Sequence, residues 1–342
     1  MRHFLAAGLA LLGLAAPALS QPAIPEIRER GELTCGVNGD LPGFSDEDAA
    51  GRMAGFDADL CRAIAAAVLG DAAKVRFVPQ RTPEAALDAL AARQVDVVLR
   101  NTTVTLTRDV ARTVTPGPVV FYDGMGLMVP AALGISQPAE LDGRTVCWAG
   151  AENARGNAAD VLAAVQEGLR VRFTLRRLET QADAVAALER GECQALGADS
   201  SALSARRAYE MRTPAAWAIL PHILSPEPLV PWTRADDEAF RQVVFWTMQG
   251  LFWAEQLGVT SANLPERLSN PDWRLRRMLG LEPGFGQPFG LPDEWLARVI
   301  QQVGSYAEIF DRNLGAGSRI GMDRGINALW TAGGLIYPLP LR

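Results

Sequence analysis

The chain has 342 residues, 49% hydrophobic and 21% charged, a balance that excludes disorder and supplies cores for one large or two medium domains. Its formal net charge is −6 and Lys74 is the one lysine among 33 basic residues, which excludes the basic face a nucleic-acid binder needs.

The first twenty residues join a positive start at Arg2 to an apolar run from Phe4 to Leu14. Small-residue cleavage sites follow at Ala16-Pro-Ala18 and Ala18-Leu-Ser20. This is the pattern of a secretory signal peptide, too short to span a membrane. Cleavage is expected near residues 18–21, so that the mature chain starts between Leu19 and Pro22, outside the cytoplasm. All four cysteines lie beyond that point, and an even number in an exported chain predicts two disulfides. Three pairings exist. Cys35 falls on the first predicted strand and Cys61 on the next helix, while Cys147 and Cys193 both fall mid-chain. The expected pairs are therefore Cys35 with Cys61 and Cys147 with Cys193, worth roughly 3–4 kcal/mol each. A four-cysteine zinc site lacks any Cys-x-x-Cys pair, and no metal or cofactor is expected.

Leu33–Val37 reads as a strand and Asn38-Gly-Asp-Leu-Pro-Gly43 as a loop. Gly55-Phe-Asp-Ala-Asp59 opens a helix, with Asp57 or Asp59 as its cap or first-turn acid and Leu60, Ile64, Ala67 and Val68 on one face. Val75–Val78 is a second strand, and Thr82-Pro83 starts a second helix by the cap-then-proline rule. The β-branched run Val95, Val97 and Val98 forms a third strand that passes straight into Arg100, Asn101, Thr102, Thr103, Thr105, Thr107 and Arg108. In α/β proteins, buried strands deliver polar groups at their carboxyl ends, where ligands collect. Two arginines among hydroxyls and an amide suit a small carboxylate. A solvated strand end with a threonine-rich turn is the competing reading of these residues alone.

After Phe121-Tyr-Asp-Gly124 the plan restarts. Gly143–Trp148 is a strand, Ala158–Gln166 a helix, Val171–Thr174 a strand, Gln181–Arg190 a helix closed by Gly191, and Cys193–Asp199 a strand ending in polar groups. Two α/β lobes with parallel sheets follow. The last third differs: Trp232 to Leu257 reads largely as one amphipathic helix, with helical stretches near Asp293–Gln302 and Asp323–Leu329. It has no sheet plan of its own and is expected to pack onto a lobe.

At this point several segments coincide with a known pattern: Thr34-Cys-Gly-Val-Asn38, Leu41-Pro-Gly-Phe44, Gly55-Phe-Asp-Ala-Asp-Leu-Cys61, Asp96 to Arg108, Phe121-Tyr-Asp-Gly124, Tyr306-Ala-Glu-Ile-Phe-Asp-Arg-Asn313 and Arg324-Gly-Ile-Asn-Ala-Leu-Trp330. In these, over nearly the whole mature chain, the sequence resembles the periplasmic solute-binding proteins of ABC importers for amino acids (solute-binding protein family 3), within them the general L-amino acid binding subfamily. The resemblance implies a two-lobed type II periplasmic binding fold with two crossover hinge strands and a helical C-terminal extension. Residues 21–124 and 232–342 would form the first lobe and 125–231 the second, with the return crossing near Glu227–Thr233. Arg108 would clamp a ligand α-carboxylate. Thr103 and the backbone around Asn101 would add donors and acceptors, and Asp199 would receive the α-ammonium; Arg100 is a further expected contact from the residues alone, with a structural arginine at the lobe edge as its competing reading. The loop from Asn38 to Phe44 would cover the ligand side chain, with Leu41 where many relatives place a stacking ring. Tyr122 and Asp123 are expected in the hinge. Relatives carry a Gly-Thr-Thr turn after the first strand of the second lobe; this chain has Gly150-Ala151-Glu152, preceded by Trp148 and Ala149. Gly150, Glu152 and Trp148 are therefore expected to line a cleft of altered ligand preference.

The implied function is that of a periplasmic, monomeric, non-catalytic binding protein that passes an amino acid to the membrane permease of an ABC importer. The competing functions are an enzyme on the same scaffold, working with carboxylates as a dehydratase or hydrolase, and a sensor that presents its liganded surface to a receptor. A histidine mechanism has only His222 to draw on in the mature chain, and no nucleophile-elbow pattern is present.

Overall fold

The computed structural model describes residues 22–150 and 158–341; the signal-peptide segment and Glu152 lie outside the described residues. Two five-stranded sheets form the two lobes. In the first, Leu33–Val37 pairs in parallel with Val75–Pro79 and with Val97–Val98, and Trp232–Arg234 lies antiparallel between Val97–Val98 and Val114–Pro116. In the second, Thr145–Ala149 pairs in parallel with Thr174–Leu178 and Ala195–Asp199, and Met125–Pro130 runs antiparallel between Ala195–Asp199 and Trp217–Ile219. The parallel cores are the expected ones, and the crossover helices begin as the sequence implies. Thr82 accepts the Ala85 N–H ahead of Pro83, and Thr180 does the same for Asp183.

Three element assignments need correction. Trp232–Arg234 is a buried strand, and the long helix starts only at Glu238, capped by Asp237. The fifth parallel strand is Thr174–Leu178 rather than Val171–Thr174. Arg324–Trp330 supplies one 3₁₀ turn, Gly325–Asn327, while Tyr306–Asn313 is a capped α-helix.

The last third packs on the first lobe, as its lack of a sheet plan implies. Helix Phe56–Leu69 is apolar nearly all round and sits between the sheet and helices Glu238–Gln256 and Trp295–Val303. Gly250 makes the last crossing close, since a Cβ there would lie 2.5 Å from Leu296. Both disulfides are formed, Cys35–Cys61 inside the first lobe and Cys147–Cys193 inside the second.

The lobes join through a two-stranded antiparallel ribbon, Phe121–Asp123 with Glu227–Leu229. Tyr122 lies opposite Pro228, which has no N–H to give. Both of Tyr122's backbone groups are met instead by the C-terminal third: its N–H donates to Asn327 Oδ1 at 2.6 Å, and Asn327 Nδ2 donates to its carbonyl at 3.0 Å. Asn327 thus acts as a one-residue third strand on the ribbon. Arg324 holds that turn by donating to the Asn327 carbonyl and to Glu255, with its guanidinium over the rings of Tyr306 and Phe310. Asn327→Ala is expected to cost about 2 kcal/mol, two hydrogen bonds to part-buried backbone. Urea unfolding of the unliganded protein measures it, and an unchanged midpoint would remove the clamp from the account.

Candidate functional site

Strand Val97–Val98 is too short to carry its polar successors into the sheet, so the chain turns at Asn101 with φ +44, a left-handed conformation asparagine tolerates. Three bonds fix that turn. The Asn101 N–H donates to the buried carboxylate of Asp57 at 2.9 Å, the Asn101 side-chain oxygen accepts from Asn38 Nδ2 at 3.0 Å, and Trp232 Nε1 reaches the Thr102 carbonyl. Asp57 is therefore not a cap of its own helix. It braces the polar loop, and burial raises its carboxyl to about 7 against the pull of the Asn101 N–H and Arg100.

Beyond the turn, Thr103 bridges to Leu229 of the second crossover, and the Val104 N–H donates to the Pro228 carbonyl. The Thr103 hydroxyl donates to Glu227 at 3.1 Å. Thr105 then caps the short helix Leu106–Val110, which carries Arg108. Arg108 donates to the Thr103 carbonyl at 3.0 Å and to the exposed Glu84 at 3.2 Å. The polar loop of the first lobe is thus stitched to the strand that returns from the second.

The second lobe contributes Asp199, at the carboxyl end of strand Ala195–Asp199 and at the start of helix Ser200–Tyr209. Its side chain does not cap that helix, and it accepts no hydrogen bond from another described residue. Burial first, then the neighbouring carboxylates of Asp123 and Glu227, raise it to about 8, while Arg108 pulls the other way. Asp199 and Arg108, from different lobes, are therefore near enough to feel one another. Asp123 is turned away, accepting from the Gly124 and Ser201 N–H groups and the Ser201 hydroxyl; burial lifts it to about 6.

Arg108, Thr103, Asn101, Asn38 and Asp199 are gathered around the crossover ribbon. Three other expected ligand contacts are not presented this way. Arg100 is 6% exposed and donates to the carbonyls of Gln80 and Arg81, so it braces strand ends of its own lobe. Leu41 is 2% exposed because its loop closes on itself through Ser45 and turns the side chain into the first core. Trp148 is 5% exposed and packs in the second core with Met125, Val146 and Leu162. Gly150 remains at the rim, its carbonyl accepting from Arg177. Sequence reasoning overlooked the brace at Asp57 and the roles of Glu227 and Asn327, which it placed only in the return crossing and in a family motif. An acidic residue inside the predicted return crossing was the available signal for Glu227.

The titration directions have a consequence. Asp57, Asp123 and Asp199 all have folded values above the ordinary 3.8. The folded state therefore binds more protons than the unfolded chain between about pH 4 and 8, and stability falls as pH rises through that window. The unliganded protein is expected to melt at a higher temperature at pH 5 than at pH 8. Scanning calorimetry across the range tests this, and an opposite slope would contradict the buried, uncompensated carboxylates.

Among the described residues no helix is long and apolar enough to cross a membrane, and no cluster of metal-binding side chains occurs.

Residues 33–137 match the family model of bacterial extracellular solute-binding proteins, family 3. The chain is 38% identical to the general L-amino acid-binding periplasmic protein AapJ of Rhizobium johnstonii, over 98% of each chain. It is 40% identical to the glutamate/glutamine/aspartate/asparagine-binding protein BztA of Rhodobacter capsulatus, over 98% of this chain and 97% of that one. Among solved structures, a periplasmic binding protein of an ABC transporter from Brucella ovis with glutathione bound superposes with a TM-score of 0.87 at 35% identity, covering 94% of this chain and all of that one.

Proposed function

We propose, from the premise that this chain belongs to the bacterial extracellular solute-binding proteins of family 3, that its interlobe cleft holds an L-amino acid and that the protein delivers it unaltered to the permease of an ABC importer. One observation carries the reading. Arg108 of the first lobe and Asp199 of the second are within electrostatic reach across the crossover ribbon, and the Asp199 carboxylate has no partner from another described residue. A zwitterion supplies the partner Asp199 lacks through its α-ammonium, and its α-carboxylate suits the Arg108 fork in place of the exposed Glu84. The Thr103 and Asn101 segment adds hydrogen-bonding groups between them. Each end of the ligand is gripped by a different lobe, so binding favours the closed arrangement. Residues 125–231 act as the mobile lobe, with Tyr122 and Asp123 in the hinge. The protein works outside the cytoplasm as a monomer and uses no cofactor.

The γ-glutamyl end of glutathione carries the same zwitterionic head, so the Brucella ovis complex fits this reading. Ligand choice then depends on what lies beyond the head.

The test is thermal unfolding of protein stripped of ligand by unfolding and refolding, against the twenty L-amino acids, small di-acids, amines and glutathione. A ligand at a hundred times its dissociation constant adds about 2.7 kcal/mol, a visible shift. Shifts with amino acids and recovery of the ligand unchanged support the proposal. No shift with any zwitterion, or conversion of the ligand, would overturn it.

A further inference from the structure

Glu227 carries a negative charge with no ion-pair partner among the described residues. It lies on the second crossover directly opposite Asp123 of the first. Its Oε2 accepts the Thr103 hydroxyl at 3.1 Å and its Oε1 accepts the Ser225 hydroxyl at 2.9 Å. Like charges directly opposite one another weaken a strand pair, so this placement opposes the ribbon it sits in. Asp123 relieves its own share by turning to Ser201 and Gly124. Glu227 has two neutral hydroxyls, which satisfy lone pairs but leave the charge uncompensated. Asp199 senses this charge, and also that of Arg108 from the first lobe.

We infer that Glu227 is a ligand-recognition residue: its carboxylate joins Asp199 in receiving the ligand ammonium, and its bond to Thr103 ties that end of the cleft to the loop that receives the carboxylate. The inference rests on the amino-acid reading of the cleft proposed above. An ammonium has three N–H donors and a full positive charge, enough for two carboxylates at once. A hydroxyl in its place offers one donor and no charge, leaving Asp199 and Glu227 to repel one another. Discrimination at this end is therefore by charge rather than by shape, and the strain in the empty ribbon is relieved only by a cationic head.

Calorimetric titration of the full mature chain tests this with matched pairs: L-aspartate against L-malate, and L-alanine against L-lactate. The wild type is expected to prefer the amine over the hydroxy acid by about a hundredfold or more, the range reached when a buried charge loses its partner. In Glu227→Gln the preference should fall about tenfold or more, through weaker amino-acid binding, while the melting temperature of the unliganded protein holds or rises. A merely structural glutamate would do the reverse, lowering the melting temperature and leaving the ratio alone, and that result overturns the inference. Glu227→Asp keeps the charge on a shorter arm and should retain most of the discrimination. If it loses as much as Glu227→Gln, charge is not the cause and the inference falls. If the wild type binds neither these amines nor any other of the twenty L-amino acids, the amino-acid reading itself fails, and this outcome is distinct from a changed ratio.

Discussion

Arg108→Met is expected to weaken amino-acid binding by about 100- to 1,000-fold, the loss of roughly 3–4 kcal/mol of charge-assisted hydrogen bonding. The argument runs from the helix that carries the residue. Leu106–Val110 is a single turn capped by Thr105, and Arg108 is oriented by the Thr103 carbonyl at 3.0 Å. Its pairing with Glu84 is on the surface and contributes little to stability, so the fold should tolerate the change. Methionine keeps the length of the stem and removes the fork. Arg108→Lys restores a charge without the two parallel donors and should recover only part of the affinity. Isothermal titration measures all three proteins. Wild-type affinity in Arg108→Met would return this residue to the role of a helix-end arginine.

Phe56→Ala is expected to be the most damaging single truncation in the first lobe, at about 4 kcal/mol and a fall in melting temperature of roughly 10 °C. Phe56 is fully buried at the start of its helix. Its ring lies edge-on to Phe44 of the loop after the first strand, Phe121 of the first crossover, and Tyr306 and Phe310 of the helix Tyr306–Asn313. Three further segments therefore share one side chain, and a void there has no single neighbour able to fill it. Edge-to-face geometry adds to the burial itself. Because Phe121 belongs to the ribbon, the same variant should also weaken ligand binding. A calorimetric scan showing less than about 1 kcal/mol of loss would mean that the surrounding rings collapse onto the vacancy.

Much of this architecture is legible in the chain. The strand–helix alternation, the Thr82-Pro83 start and the two cysteine pairs depend on local periodicity and spacing, which sequence displays directly. The turn from Arg100 to Arg108 is legible because it breaks a β-branched run with polar residues. Reading fails where tertiary contact overrides local pattern. Trp232–Arg234 belongs to an amphipathic run by composition and becomes a strand only because Val98 and Val114–Pro116 lie waiting on either side. Leu41 and Trp148 are expected at the cleft, and their apolar bulk is drawn into the two cores. Arg100 and Arg108 are chemically alike and eight residues apart; only the positions of the Gln80 and Arg81 carbonyls separate brace from fork. Asn327 shows nothing in sequence, because its meaning is a pair of backbone groups some two hundred residues away.

The central place of Trp232–Arg234 bears on how the molecule is born. The strands Val97–Val98 and Val114–Pro116 are neighbours only through that insert, which is made more than a hundred residues after Pro116. That separation leaves an interval in folding before the first sheet can close. Throughout it the second sheet, continuous in the chain, can complete itself while the first keeps two open edges, one beside Val98 and one beside Val114. Open edges are templates for pairing with other chains. The folding protein thus has a built-in period of vulnerability that ends when Trp232 slots home, and a holding factor acting on this chain would be needed most before that strand docks.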